Sequence, residues 1–166
     1  MGTRGLMGVR INGEDKLTYN HFDSYPSGLG ADIVADLKKV KLNVLKKLAK
    51  NLMLVTKTVK PTQQQIENFK QFSDTSVSTK QIDEWYVLLR NLQGKFVETL
   101  ESGLMIDGHD FIKDSLFCEW AYIVNLDNNT LEIYQGFQTK PHKKGRYAKL
   151  PKETYKSTEN EYYPCA

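Results

Sequence analysis

Residues 19–30 read YNHFDSYPSGLG and join an extended region of the chain to its longest helical pattern. They carry an imidazole at His21, a carboxylate at Asp23 and phenols at Tyr19 and Tyr25, followed by one proline and two glycines. A proline holds the residue before it in an extended conformation. Pro26 therefore predicts that a strand ends before it and that a helix begins after it.

A β-hairpin is predicted before this segment. Asn12-Gly13 favours a type I′ turn, because both residues tolerate the positive φ angles that this turn requires. The strands are predicted over residues 3–11 and 16–22. Alternate residues of a strand lie on the same face, so Tyr19, His21 and Asp23 are expected to point in one direction.

One long amphipathic helix is predicted after the segment, over residues 30–54. Its apolar residues recur at spacings of three and four, which is typical of a helix with one buried face. They are Ile33, Val34, Leu37, Val40, Val44, Leu45, Leu48 and Leu52. Lysines occupy the remaining positions and are expected to face solvent.

The rest of the chain predicts further short helices and a second hairpin. Helices are predicted over residues 61–72, from a capping box at Ser78 and Gln81 to Leu92, and over 96–101. The second hairpin has strands over 116–126 and 130–137. The order predicts an α+β fold in which two antiparallel β-hairpins form one sheet and a central helical segment packs on one face.

The composition is typical of a single folded domain. The chain has 166 residues, of which 40% are hydrophobic and 26% are charged. We expect one α+β domain over residues 1–137 and a basic C-terminal extension over 138–166. No apolar run is long enough to cross a bilayer and no secretory signal is apparent, so a cytoplasmic location without membrane contact is expected.

The first candidate for catalysis is the set formed by Tyr19, His21, Asp23 and Tyr25. A histidine oriented by a carboxylate, with a phenol nearby, is suited to general acid–base chemistry. The alternative is structural, since Asp23 or its neighbour Ser24 can bond free backbone amides where the helix begins. The spacing alone does not choose between these interpretations.

A metal site is a weaker candidate. His21 and Asp23 would have to meet Asp107, His109 and Asp110, whose side chains are suited to a divalent cation. No helix-spaced ligand pair and no cysteine–histidine cluster supports this arrangement. We therefore predict no metal and no other cofactor.

The basic residues form two runs that are candidates for a binding surface. Eight lysines and no acidic residue lie between Lys38 and Lys60, and seven basic residues accompany one glutamate between Lys140 and Lys156. Such runs can bind a nucleic acid or an acidic protein. The predicted binding residues are Lys38, Lys39, Lys46, Lys47, Lys50, Lys143, Lys144 and Arg146.

The N-terminal residues also resemble a known group of proteins. Thr3-Arg4, followed by Tyr19-x-His21-x-Asp23-x-Tyr25-Pro26-x-Gly28, resembles a family of small uncharacterised proteins of bacteriophages and mobile elements. The chain departs from the family pattern at Ser24, where that family favours glycine. The resemblance implies a phage origin and carries no catalytic role with it.

Three functions are compatible with these observations. The resemblance implies an accessory protein that binds and inhibits a host protein or ribonucleoprotein complex in the host cytoplasm, such as a CRISPR effector. The second is a small hydrolase or nucleotide-processing enzyme that uses His21 and Asp23. The third is a protein that binds nucleic acid through backbone charge, without reading its sequence.

Overall fold

The computed structural model describes residues 2–77, 81–114 and 116–136, together with the backbone of 156–164. The strands are β1 (Gly5–Ile11), β2 (Glu14–Asn20), β3 (Met53–Val55), β4 (Leu104–Ile106), β5 (Trp120–Asn125), β6 (Thr130–Gln135) and β7 (Lys156–Pro164). The helices are α1 (Ala31–Lys39), α2 (Leu42–Asn51), α3 (Gln63–Phe69), α4 (Trp85–Leu88) and α5 (Phe96–Ser102). Single helical turns cover Pro26–Gly30, Lys70–Phe72, Arg90–Leu92 and His109–Lys113.

The main sheet is mixed, with the strand order β2-β1-β5-β6-β7. Both predicted hairpins are present as antiparallel pairs, β1 with β2 and β5 with β6. The hairpins meet through β1 and β5, which run parallel. The mixed α/β class is therefore confirmed, whereas the description as two antiparallel hairpins with one helical segment is incomplete.

The tips of the two hairpins are tied together. Asn12 and Gly13 have φ angles of 51° and 76°, as the predicted type I′ turn requires. Their backbone N–H groups donate to the carboxylate of Asp127, in the turn of the second hairpin, at 2.8 and 2.9 Å. This contact fixes the turns side by side, which helps to explain why the hairpins join in parallel.

The single long helix predicted over residues 30–54 is wrong. Val40 is extended, with φ −107° and ψ 131°, and it separates α1 from α2. The chain then leaves the helix after Asn51, because β3 pairs in parallel with β4 to form a second, two-stranded sheet. An apolar pattern does not reveal either event, since Val40 and the residues of β3 also fit the helical spacing.

Apolar residues cover both faces of the main sheet. On one face, Ile33 of α1, Leu45 of α2 and Phe96 of α5 join the cluster of buried strand residues that includes Val9 and Val124. On the other face, Leu6, Leu17 and Ile123 pack with the turn His109–Lys113 through Ile112. A third cluster joins α4 and its following turn to β4 through Trp85, Leu88, Leu92 and Leu104. The second face and the third cluster border the candidate site.

The C-terminal extension contributes a strand to the sheet. β7 pairs antiparallel with β6 and occupies the outer position. The sequence analysis placed this strand in a basic extension and did not predict it. The predicted capping box at Ser78 and the remainder of the extension lie outside the described residues.

Candidate functional site

Tyr19 and His21 of the 19–30 segment form a hydrogen-bonded pair. The Tyr19 hydroxyl lies 2.6 Å from Nδ1 of His21, and the ring centroids are 5.8 Å apart. The pairing follows from strand geometry, because residues two apart in an extended chain lie on the same face. The other side of the imidazole meets the edge of Phe22, at a centroid distance of 4.4 Å.

The surroundings of this pair shift both pKa values. Burial lowers the pKa of His21, and the positive charges of Arg90 and Arg4 lower it further. Burial raises the pKa of Tyr19, with a smaller contribution from Tyr86. His21 is therefore neutral near pH 7 and Tyr19 is protonated, and we assign the phenol as donor and Nδ1 as acceptor.

Asp23 and Tyr25 do not join this pair. The strand β2 ends at Asn20, and Asp23 adopts a left-handed conformation with φ 54°. Both side chains are exposed, and no hydrogen bond or ion pair links either of them to His21 among the residues that the structure describes. The expected common direction of Tyr19, His21 and Asp23 holds for the first two only.

The remainder of the segment builds a turn. The Asn20 side chain donates to the carbonyl oxygen of Phe22 at 2.6 Å and to Oγ of buried Ser24 at 3.0 Å. The carbonyl oxygen of Asp23 accepts from Leu29 at 2.8 Å. A Cβ atom at Gly28 would lie 2.5 Å from that same oxygen, so only glycine fits there. The interpretation of this part as structural is therefore supported by its contacts.

A cleft of about 680 Å³ opens beside Tyr19. Leu89 and Leu92 from the α4 region and Leu104 and Ile106 of β4 line it, and Tyr86 adds a second phenol. This volume is in the range of small-molecule sites, which are mostly apolar and carry a few polar groups that orient the ligand. The sequence analysis did not predict the cleft, because its walls come from elements that are distant in the chain.

A second histidine, His109, lines the cleft itself. Nδ1 of His109 is 2.8 Å from Oδ1 of Asp107, and Nε2 is 3.2 Å from Oδ1 of Asp110. The hydrogen bond to Asp107 raises the pKa of His109, and the charges of Asp107 and Asp110 add to that effect. The two histidines of the site therefore have pKa values shifted in opposite directions, which is a common arrangement of acid and base.

Backbone contacts hold His109 next to β2. The backbone N–H of Asp107 donates to the carbonyl oxygen of Val55 at 2.8 Å, and the N–H of Gly108 donates to the carbonyl oxygen of Leu17 at 2.8 Å. The ring of Phe111 then meets the ring of Tyr19 edge-on at 5.3 Å. A Cβ atom at Gly108 would lie 3.1 Å from the Tyr19 backbone nitrogen, so the glycine permits this close approach.

The residues of the metal hypothesis do not converge. Asp107, His109 and Asp110 lie together, but His21 contacts Tyr19 and Phe22, and Asp23 is in the exposed turn. Within the described ranges, no group of three or more histidine, cysteine or acidic side chains is arranged to hold a metal ion. Asp107 and Asp110 serve instead as hydrogen-bond partners of His109.

The predicted lysine surface lies on α1 and α2, on the other side of the sheet from His109. Lys38, Lys39, Lys47 and Lys50 are exposed and Lys46 is half-buried. None of the five forms an ion pair with a carboxylate of the described part of the chain. Lys143, Lys144 and Arg146 lie outside the described residues.

Comparison of the chain with models of protein families, with curated proteins and with solved structures finds no match. The resemblance to the phage family therefore stays a prediction. In the described part of the chain, no helix has both the length and the apolar character needed to span a membrane.

Proposed function

We propose that this protein binds a small, ring-bearing molecule in the cleft and carries out acid–base chemistry on it. One observation carries the proposal: the cleft is lined by Tyr19, whose hydroxyl bonds to His21 behind it, and by the Asp107–His109 pair. The volume of about 680 Å³ suits a molecule of nucleoside size.

The two pairs differ in the proton transfer that they favour. The carboxylate oxygens that face both ring nitrogens raise the pKa of His109, which favours the protonated form and a role as general acid at Nε2. His21 is neutral and accepts the Tyr19 proton at Nδ1. A ligand hydroxyl that bonds to the Tyr19 oxygen can pass its proton to that oxygen as the phenol proton moves to His21.

The apolar walls set the kind of ligand. Leu89, Leu92 and Ile106 offer apolar contacts, and the Tyr86 ring can stack on an aromatic ligand. This arrangement supports the alternative of a small hydrolase or nucleotide-processing enzyme over a purely charged interface. Its catalytic residues are then His21, Tyr19 and His109, and Asp23 has no part in the chemistry.

Calorimetric titration with a panel of nucleosides and nucleoside monophosphates tests ligand binding. Thr56→Trp places a bulky side chain at the exposed rim of the cleft, and Lys47→Gln is the control on α2. We expect saturable binding that Thr56→Trp weakens and Lys47→Gln leaves unchanged. Equal affinity in all three proteins would place the ligand elsewhere and contradict the proposal.

A second function is favoured by the lysines of α1 and α2. Four of the five are exposed, and none forms an ion pair with a described carboxylate. Such charges are suited to an acidic protein groove or to a nucleic acid, and would let a phage-encoded accessory protein inhibit a host component such as a CRISPR effector. Affinity capture from bacterial lysate, with and without nuclease, distinguishes these partners.

Stoichiometric capture of one protein supports the inhibitor function, provided that the capture persists after nuclease treatment and is lost on charge reversal at Lys46, Lys47 and Lys50. Nucleic acid alone, released steeply by salt, supports the nucleic-acid binder. Unchanged capture by the charge-reversed variant contradicts both.

A further inference from the structure

We propose that Arg4, Arg90 and His21 bind the phosphate group of a phosphomonoester at the Tyr19 end of the cleft. This inference rests on the proposed function and specifies its ligand as an anion, of the nucleoside monophosphate type. The juxtaposition of two arginines with a neutral histidine carries it.

The register of the first hairpin brings Arg4 to His21. The last pair of β1 and β2 is Gly5 with Asn20, so the next two residues outward are Arg4 and His21. Residues that face each other across antiparallel strands have neighbouring side chains on the same face. The Arg4 guanidinium lies 5.1 Å from the centre of the Phe117 ring, which holds it on that face.

Arg90 approaches the same histidine from the turn that follows α4. Its guanidinium lies 5.5 Å from the centre of the Phe22 ring, whose other contact is the His21 imidazole at 4.4 Å. The neighbouring Gln93 accepts a hydrogen bond from the His21 backbone at 3.1 Å, and it lines the cleft. The single helical turn Arg90–Leu92 therefore places Arg90 beside Phe22 and His21, close to the cleft residue Gln93.

Among the described residues the two arginines have no close counter-charge, although the Asp74 carboxylate interacts with Arg90 at longer range. Neither guanidinium forms an ion pair with a carboxylate of the described residues. Nε of Arg90 is buried and, among those residues, has no hydrogen-bond partner. A buried donor without an acceptor is costly, and phosphate supplies the acceptor oxygens that a planar guanidinium fits best.

The neutral state of His21 completes the match to a phosphate. Arg90 and Arg4 both act on this imidazole and oppose its protonation. Because Nδ1 accepts from Tyr19, the neutral imidazole carries its proton on Nε2, which serves as a third donor to the phosphate. The position of Tyr19, next to this group, would bring the phosphate ester close to the acid–base residues.

Titration of the full chain with inorganic phosphate at constant ionic strength tests the site, with the nitrogen NMR signals of His21 as the readout. We expect a saturable shift of these signals with phosphate and none with chloride or acetate. Arg4→Gln and Arg90→Gln should each weaken phosphate binding about tenfold. Lys47→Gln removes the same charge from α2 and should leave it unchanged.

Several results would overturn the inference. A linear shift shared with chloride, an equal response to acetate, or an equal loss in Lys47→Gln would each do so. Arg90→Lys keeps the positive charge but lacks the planar guanidinium group. Its affinity for phosphate should therefore lie between those of Arg90→Gln and wild type. Far-ultraviolet circular dichroism of each variant verifies that it is folded.

A paired titration with adenosine and adenosine monophosphate separates this inference from the proposed function. Arg90→Gln should weaken binding of the monophosphate and leave adenosine unchanged, whereas Thr56→Trp should weaken both. Equal affinity of wild type for the two ligands overturns the phosphate site alone. Absence of binding by both, together with a saturable His21 response to inorganic phosphate, overturns the proposed function alone.

Discussion

The hydroxyl of Tyr122 donates a hydrogen bond to the carbonyl oxygen of Ser24 at 2.8 Å. Both residues are buried, and they are 98 positions apart in the chain. The contact ties the turn after β2 to the central strand β5. It thereby fixes the position of β2, which carries Tyr19, relative to the rest of the sheet.

Replacement of Tyr122 by phenylalanine should destabilise the fold. It removes the donor and leaves a buried carbonyl oxygen without this partner, so we expect a loss of about 1–3 kcal/mol in the free energy of unfolding. Urea denaturation measures it. Tyr25→Phe changes an exposed phenol and should stay within about 0.5 kcal/mol of wild type; similar losses in both variants would contradict the role of the Tyr122 contact.

Lys16 should stabilise α2 from inside the protein. This lysine is only 6% exposed, and its Nζ donates to the carbonyl oxygens of Ala49 at 2.8 Å and Leu52 at 2.7 Å, at the C-terminal end of the helix. A positive charge there also interacts favourably with the helix dipole. Lys16→Met keeps the apolar stem and should lower the free energy of unfolding by about 1–3 kcal/mol.

Lys47→Met provides the matched comparison, since Lys47 is exposed on the same helix. Its free energy of unfolding should change by less than about 0.5 kcal/mol. If Lys16→Met is as stable as Lys47→Met, the buried ammonium contributes nothing to the helix end.

The pH dependence of His109 follows from its bond to Asp107. The folded-state pKa of His109 is raised above its unfolded value of about 6.5. The stabilisation from this pair is therefore fully present below the unfolded pKa and is lost as the pH rises through the folded pKa. Asp107→Asn should lower the pKa of His109, which an NMR titration of the imidazole measures.

The same titration follows His21 as an internal reference. Its pKa is lowered mainly by burial, with Arg90 and Arg4 adding to the shift, so Asp107→Asn should leave it in place. A pKa of His109 that does not respond to Asp107→Asn would show that the hydrogen bond is not the cause of the shift.

The sequence predicted the local features of the fold better than their assembly. The turn at Asn12-Gly13 and both hairpins were predicted because their signals lie within a few residues. The parallel meeting of β1 and β5 depends on contacts such as Asp127 with Asn12, which are more than 100 positions apart. The break at Val40 also escaped prediction, because a β-branched apolar residue fits a helical stripe as well as an extended bend.

The candidate site was predicted in part for the same reason. Tyr19 and His21 were predicted to lie together because residues two apart in an extended chain share a face, and their hydrogen bond confirms this. The left-handed conformation of Asp23 ends the extended segment, so Asp23 does not join them. The role of His109 was missed, although its position next to Asp110 and two residues after Asp107 was a usable signal. The cleft itself required β4 and α4 to pack together, which no local pattern encodes.

Turnover of the bound ligand tests the central claim most directly. Each nucleoside or nucleotide that binds is incubated with wild type, His21→Ala, His109→Gln and Asp23→Asn, and product is measured by mass spectrometry. We predict that His21→Ala and His109→Gln lower the rate about a hundredfold or more, while Asp23→Asn stays close to wild type. Absence of product from wild type, or equal rates in all four proteins, would contradict the assignment of the cleft as an acid–base site.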